Sequence, residues 1–260
     1  MTKILVFTDL HIRVAGETPG GPDPLERFAA GLAQAQARHP DAARLVIAGD
    51  LAHNGRAEEY ARLAPVLDGL ALPVTLMLGN HDARLPFRAA FPAAPVTAAG
   101  HVQAVTDIGD LRLVSLDTLD DRPARALPDA GWLCPDRLAW LDAALVGAGG
   151  RRVLVFAHHP PCPVGMPRMD AIRLANGDAL LDRLRAAGNV AHLFCGHVHR
   201  RVSGVAGGIA FSTFESPGER LPLLLDPGAP LRAEAAPGAY GVILAPPGTI
   251  AAHAEEIAGG

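Results

Sequence analysis

Thiols are scarce in this chain. Its three cysteines, Cys134, Cys162 and Cys195, are odd in number and fall at no metal-ligand spacing, which argues against a disulfide framework. Small apolar residues in a reducing cytosol account for all three. Basic charge is also short: 23 Lys and Arg stand against 27 Asp and Glu, a net charge of −4. That balance gives no electrostatic footprint for a nucleic-acid polymer, and no run of Lys or Arg marks a membrane surface. No apolar run approaches the roughly 20 residues needed to span a bilayer. The first one, Ile4 to Phe7, is far shorter than a signal h-region and leads straight into Asp9 and His11. No signal peptide is expected, and the cytoplasm is the default location. There is no internal repeat, no linker long enough to divide the chain, and no low-complexity segment beyond alanine richness. What remains is a folded chain of 260 residues, 49% hydrophobic and 19% charged, enough for one domain with a large core or one domain with a small appendage.

Polar groups stand where apolar runs stop. Val74-Thr75-Leu76-Met77-Leu78 ends in Gly79-Asn80-His81-Asp82, placing an amide and an imidazole where their burial is costly unless something binds them. Four other clusters end apolar runs in the same way: Asp9-Leu10-His11, Gly49-Asp50, His158-His159-Pro160-Pro161 and Gly196-His197-Val198-His199. Each alone is bland. Gly-Asp reads as a turn, Asp-x-His as a loop, and Gly-His-x-His as a hairpin with satisfied histidines. Five in order, each after an apolar run, are poorly explained by chance.

Along the chain, Lys3 to Thr8 reads as a buried strand, and Arg13 to Pro22 as a Gly/Pro-rich loop. Asp23-Pro24-Leu25-Glu26 has helix-start chemistry, with Leu25, Phe28, Ala29 and Leu32 as the inward stripe. A strand at Leu45 to Ala48, a helix opened by Glu58 and Glu59, and a strand at Val74 to Leu78 follow, a pattern of parallel strands with helical crossovers. A short helix is expected over Leu85 to Phe91, and a hairpin over Val102 to Thr106 and Leu111 to Leu116. Further on come a helix over Pro135 to Leu145, a strand over Val153 to Ala157, a helix over Gly177 to Ala187 and a strand over Val190 to Cys195. A second hairpin, Val202 to Val205 with Ile209 to Thr213, ends the clear signal; Tyr240 to Leu244 is one more strand. The fold class is α/β with two sheets.

The clusters supply two aspartates, an asparagine and a surplus of histidines at the C-terminal ends of strands, where open α/β sheets bind ligands. Oxygen and imidazole donors without thiolate suit Mn, Fe, Co or Zn in a catalytic role better than a structural zinc. Two such metals activate water and stabilise a leaving oxygen, and Asp50, on a strand between the others, is the candidate for a shared carboxylate. His197 and His199, read as alternating on an extended chain, point to one side. Of His158 and His159, adjacent on a strand, only one can be a ligand. His39, His101 and His253 read as solvent-facing, and His192 as a satisfied core or edge residue. His53 and His159 stand near the site, as supports behind the ligands, as substrate contacts or in a bland role.

The ordered set D-x-H, G-D, G-N-H-D, H-H-P-P, G-H-x-H resembles the calcineurin-like metallophosphoesterases over about Met1 to Thr213. The resemblance implies a four-layered α/β/β/α sandwich with two facing mixed sheets, spanning 1–260 as one domain, with 214–260 a C-terminal extension completing the second sheet. It implies one metal held by Asp9, His11, Asp50 and His199, a second held by Asp50, Asn80, His158 and His197, and His81 as the catalytic histidine. The implied cofactors are two divalent ions of Mn, Fe, Zn or Co. Within the family, Asp82, the run Gly49 to Tyr60, and His158 to Gly165 with Met169-Asp170 and Asn176-Gly177 resemble the class III cyclic-nucleotide phosphodiesterases and bacterial glycerophosphodiesterases. That branch implies attack of a metal-bridging hydroxide on a small phosphodiester, a 3′,5′-cyclic nucleotide or a glycerophosphodiester. Charge agrees: two divalent cations, two carboxylates and one hydroxide leave a single positive charge, matching a diester. The alternatives are a phosphomonoesterase or nucleotide pyrophosphatase of the same fold, or a non-catalytic binding module, against which every filled ligand position argues. The Pro160 to Asp170 segment, read as an ordered loop, is expected to wall the substrate pocket through Met166 and Met169. A homo-oligomer is left open.

Overall fold

β1 (Thr2–Phe7), α1 (Pro24–Arg38), β2 (Arg44–Ile47), α2 (Ala57–Asp68), β3 (Val74–Leu76) and α3 (Arg84–Ala90) make the first half of the chain. The second half runs through β4 (Ala104–Ile108), β5 (Leu111–Leu116), α4 (Pro135–Val146), β6 (Arg152–Ala157), α5 (Pro167–Ala171), α6 (Gly177–Ala187), β7 (Val190–Cys195), β8 (Ser203–Ala206) and β9 (Ile209–Thr213). Last come β10 (Glu219–Arg220), β11 (Glu234–Ala235), β12 (Ala239–Ala245) and β13 (Ala251–Glu256). These elements are those of a computed structural model that describes residues 1–18, 21–122, 127–235 and 237–258.

Two mixed sheets result, ordered β13-β12-β1-β2-β3 and β4-β5-β6-β7-β9-β8, with β10 and β11 as a separate ribbon. The period-two alternation of β1 decides the layering. Leu5 and Phe7 pack outward with Phe28 and Leu32 of α1 and Tyr60 and Leu63 of α2. Ile4 and Val6 face the other way, into a core shared with Leu154, Phe156 and Phe194 of the second sheet. On that sheet's far side, Val153, Val155 and Leu193 meet Leu138 and Leu141 of α4 and Leu184 of α6. The order is helix, sheet, sheet, helix. Each fully buried Leu or Phe contributes about 1.5–3 kcal/mol, so both faces of each sheet must be covered. Local chemistry agrees: Asp23 caps α1 by accepting from the Leu25 N–H at 2.9 Å, with Pro24 as its first residue.

Three departures from the sequence reading stand out. The C-terminal extension does not complete the second sheet; β12 pairs antiparallel with β1 and β13 with β12, in the first. A strand with the apolar run of β12 fits beside β1, whose other edge is already taken by β2. Within Pro160 to Asp170, read as a loop, Pro167 starts the short helix α5, since proline is preorganised for a first turn. The ribbon β10–β11 and the edge strand β13 were not foreseen. No helix among the described residues is long and apolar enough to cross a membrane.

Candidate metal centre

Parallel pairing of β1, β2 and β3, and of β6 and β7, brings their C-terminal ends to one edge between the sheets. Asp9 and His11 follow β1, Asp50 follows β2, Asn80 and His81 follow β3, His158 follows β6, and His197 and His199 follow β7. The structure brings all eight of these residues together.

The backbone is bent to do it. Among the described residues, the non-glycine positions with positive φ are Asp9, His11, Asp50, His197 and His199, at 46–69°. Each costs on the order of 1 kcal/mol, and all five are candidate ligands. His197 and His199 therefore do not alternate on an extended chain; each sits in a left-handed bend, and the bend aims their rings. Two glycines make room. A Cβ on Gly79 would lie 2.2 Å from Asp50 Oδ1, and Gly49, at φ 98°, would drive one to 2.5 Å from His158 Nδ1.

Two donor sets meet at Asp50. In the first, His11 Nε2 is 3.0 Å from His199 Nε2 and 3.6 Å from Asp50 Oδ2, while His199 Nε2 is 3.5 Å from Asp9 Oδ1. In the second, His158 Nε2 is 3.3 Å from Asp50 Oδ2 and 3.3 Å from Asn80 Oδ1, which lies 2.9 Å from His197 Nδ1. Separations near 3.0–3.6 Å are those of donors about 2.1 Å from a common cation. The ring nitrogens outside these sets, His197 Nε2 and His199 Nδ1, are buried and have no hydrogen-bond partner. The residues present fit two cations with the Asp50 Oδ2 edge between them.

Supporting contacts orient each donor. His158 Nδ1 lies 2.9 Å from the Ala48 carbonyl; a carbonyl only accepts, so Nδ1 holds the proton and Nε2 faces the carboxylates. Burial pushes His158 down, but Asp50 and then Asp9 outweigh it, and its pKa rises to about 9. A cation held at Nε2 would take the place of the second proton, the one on Nε2. Burial raises Asp9. Burial would raise Asp50 too, yet the charges of His158 and His11 and a hydrogen bond from His158 hold it well below the usual carboxylate range. Asp9 accepts from the His197 N–H at 3.0 Å, and Asp50 Oδ1 accepts from the His81 N–H at 2.9 Å.

His159 lies beside His158 and His197, but both its nitrogens are engaged. Nδ1 is 2.7 Å from the Thr118 hydroxyl, and Nε2 donates to the Asp129 carbonyl at 3.1 Å. Burial and then His158 push its pKa down to about 3. His81 Nδ1 donates to the His53 carbonyl at 2.7 Å, which frees its Nε2. His253 is exposed, but His39 and His101 are half-buried, the first 3.6 Å from Glu255 and the second 3.9 Å from Cys134 Sγ. His192 lies 3.0 Å from Ser212 Oγ and stacks on Phe194.

A cavity of about 290 Å³ opens on the donors. From the segment expected to wall it, only Met169 does so; Met166 is buried beneath, against Val198 and Leu221. Beside His53, Asp129 and Ile172, the wall includes Glu219, Leu221, Leu231 and Ala233 from the extension, which the sequence reading missed because this stretch has neither strand nor helix periodicity. Asp82 was also read only as a variation in the motif. Buried, it accepts from the Leu51, Ala52 and Gly79 N–H groups at 2.9–3.1 Å and fastens the Asp50 loop to the Asn80 loop.

A sequence profile described as calcineurin-like phosphoesterase matches residues 2–201. A probable cyclic nucleotide phosphodiesterase of Rhodopseudomonas palustris is 44% identical over 211 residues, 80% of this chain and 76% of that protein. A glycerophosphodiester phosphodiesterase of Enterobacter lignolyticus is 36% identical over 164 residues, 62% of this chain and 56% of that protein. Among solved structures, a dimetal phosphatase from Danio rerio is similar in fold, with a TM-score of 0.73 at 17% identity over 98% of this chain and 96% of that one.

Proposed function

The chain belongs to the calcineurin-like phosphoesterase family, and from that premise we propose that it is a two-metal phosphodiesterase of small diesters, a 3′,5′-cyclic nucleotide or a glycerophosphodiester. The observation that carries the proposal is the position of Asp50 Oδ2, 3.6 Å from His11 Nε2 on one side and 3.3 Å from His158 Nε2 on the other. Asp9, His11, Asp50 and His199 would hold one cation and Asp50, Asn80, His158 and His197 the other, drawn from Mn, Fe, Zn or Co. Two such cations supply a water acidic enough to attack near neutral pH and a Lewis acid for the phosphoryl oxygens.

The chain's own residues do the rest. The Ala48 carbonyl and the His81 N–H fix the rings and carboxylate that face the phosphorus site. His81, anchored through Nδ1, presents Nε2 to the departing alkoxide or to a phosphoryl oxygen. The apolar wall of Met169, Leu221 and Leu231 packs one of the diester's two alcohol arms and limits water. Pairing of β12 with β1 supports reading 1–260 as one domain. Three free cysteines support a reducing, cytoplasmic setting.

A substrate panel with the Mn²⁺-loaded protein tests the reading: bis-p-nitrophenyl phosphate, p-nitrophenyl phosphate, cAMP and glycerophosphoethanolamine. Diesters are expected to turn over faster than the monoester. Much faster hydrolysis of p-nitrophenyl phosphate than of the bis ester would overturn the diesterase assignment.

A further inference from the structure

A second cavity, of about 120 Å³, lies beside the first and shares His11, Glu219 and Ala233 with it. Arg27 of α1 lines it and is only 7% exposed. A buried guanidinium is ordinarily paired with a carboxylate, since its desolvation otherwise goes uncompensated. Arg27 has no such partner among the described residues; its side chain donates to the Pro237 carbonyl alone, leaving most of its five N–H groups for something else. Glu219, half-buried where the two cavities join, likewise forms no ion pair among the described residues. The two charges sit on separate elements, α1 and β10, without touching. One unpaired cation and one unpaired anion, both facing the same space, complement a group that carries both charges.

We propose that the smaller cavity is a subsite for a zwitterionic alcohol arm of the substrate, with its carboxylate on Arg27 and its ammonium on Glu219. This rests on the phosphodiesterase reading and names the substrate class: a diester whose alcohol is a hydroxyl-bearing α-amino acid of the serine type. Such an arm enters from the metal cavity past His11 and meets Glu219 before Arg27. A simple anion fits less well, because Glu219 repels it at the entrance. An alcohol with an ammonium alone leaves Arg27 unpaired.

The Mn²⁺-loaded protein is assayed on glycerophosphoserine, glycerophosphoethanolamine and glycerophosphoglycerol, which carry both charges, the ammonium alone and neither. Charge-assisted hydrogen bonds contribute about 1.5–3 kcal/mol each, so kcat/KM for the serine diester should exceed that for the glycerol diester by about tenfold or more. R27Q should bring the serine-to-ethanolamine ratio near one by raising KM for the serine diester, and E219Q should lower the ethanolamine-to-glycerol ratio. R27K should keep part of the serine preference. If Arg27 only tied α1 to Pro237, both Arg27 variants would melt lower with the substrate ratios unchanged, and the subsite would be refuted. A wild type that hydrolyses these diesters without preferring the serine diester would refute it too.

A second measurement stands apart from turnover. Glycerophosphoserine should raise the melting temperature of the metal-free wild-type protein and have a much smaller effect on R27Q. No rise, or an equal rise in both, overturns the subsite whatever the activity. A rise confined to the wild type, in a protein that hydrolyses no diester, upholds the subsite and refutes the activity.

Discussion

The buried hydroxyl of Tyr60 donates to Asp82 Oδ1 at 2.9 Å and accepts from the Ala83 N–H at the same distance. Through this pair α2 is tied to the loop that carries Asn80 and His81. Asp82 in turn gathers three backbone N–H groups from the loops on either side of it. Burial, and next the Asp50 charge, raise its pKa to about 6.

Asp82→Ala should leave those donors buried and unpaired, at about 1–3 kcal/mol each. A loss of several kcal/mol by denaturant titration and weaker metal binding are expected together. Tyr60→Phe removes two hydrogen bonds and should cost about 1–3 kcal/mol while sparing metal content. An Asp82→Ala protein as stable and as well metallated as wild type would show that the two loops hold themselves.

His81→Ala should retain both metals and lower kcat by about 10²–10⁴-fold for an alkoxide leaving group. With p-nitrophenolate, which departs without a proton, the loss should shrink if proton donation is the larger effect. An equal loss on both leaving groups would assign His81 to the phosphoryl oxygen, and loss of a metal would make it a ligand.

Much of this arrangement is written in local sequence. β1, β2, β6 and β7 are strands of four to six residues, apolar apart from Thr2, Lys3, Arg44, Arg152 and His192, that only a two-sided environment can bury, and the polar clusters end them where a sheet exposes its C-terminal edge. The left-handed bends at His197 and His199 are not legible, because nothing in Gly-His-Val-His prefers φ above zero at the histidines; the packed site imposes it. β13 reads Ala-Ala-His-Ala-Glu-Glu, with no β-branched or aromatic residue, and forms because β12 offers it an edge. The cavity wall from Glu219 to Ala233 depends on contacts distant in sequence. Asp82 is visible in the motif, but its role is not, since its partners come from three separate segments.

His192 sets a pH dependence of stability away from the centre. Burial lowers its pKa from 6.5 to about 4, so in the folded state it stays neutral while the unfolded chain takes up a proton. The unfolded state therefore binds more protons between those values, and stability falls as pH drops from 6.5 towards 4, then levels for this group. In His192→Gln the difference in denaturant midpoint between pH 7 and pH 4.5 should be smaller than in wild type. An unchanged difference would show that His192 is not desolvated in the fold.

The shared carboxylate is the centre of the account. Asp50 Oδ1 is held by the His81 N–H, and Oδ2 faces both donor sets; removing its charge acts on both at once. Elemental analysis of Asp50→Asn, after dialysis against metal-free buffer, is the direct measurement. Both metals should be lost or strongly weakened together, with most of the activity. Two metals still tightly bound in that variant would contradict the bridging role and the two-metal geometry built on it.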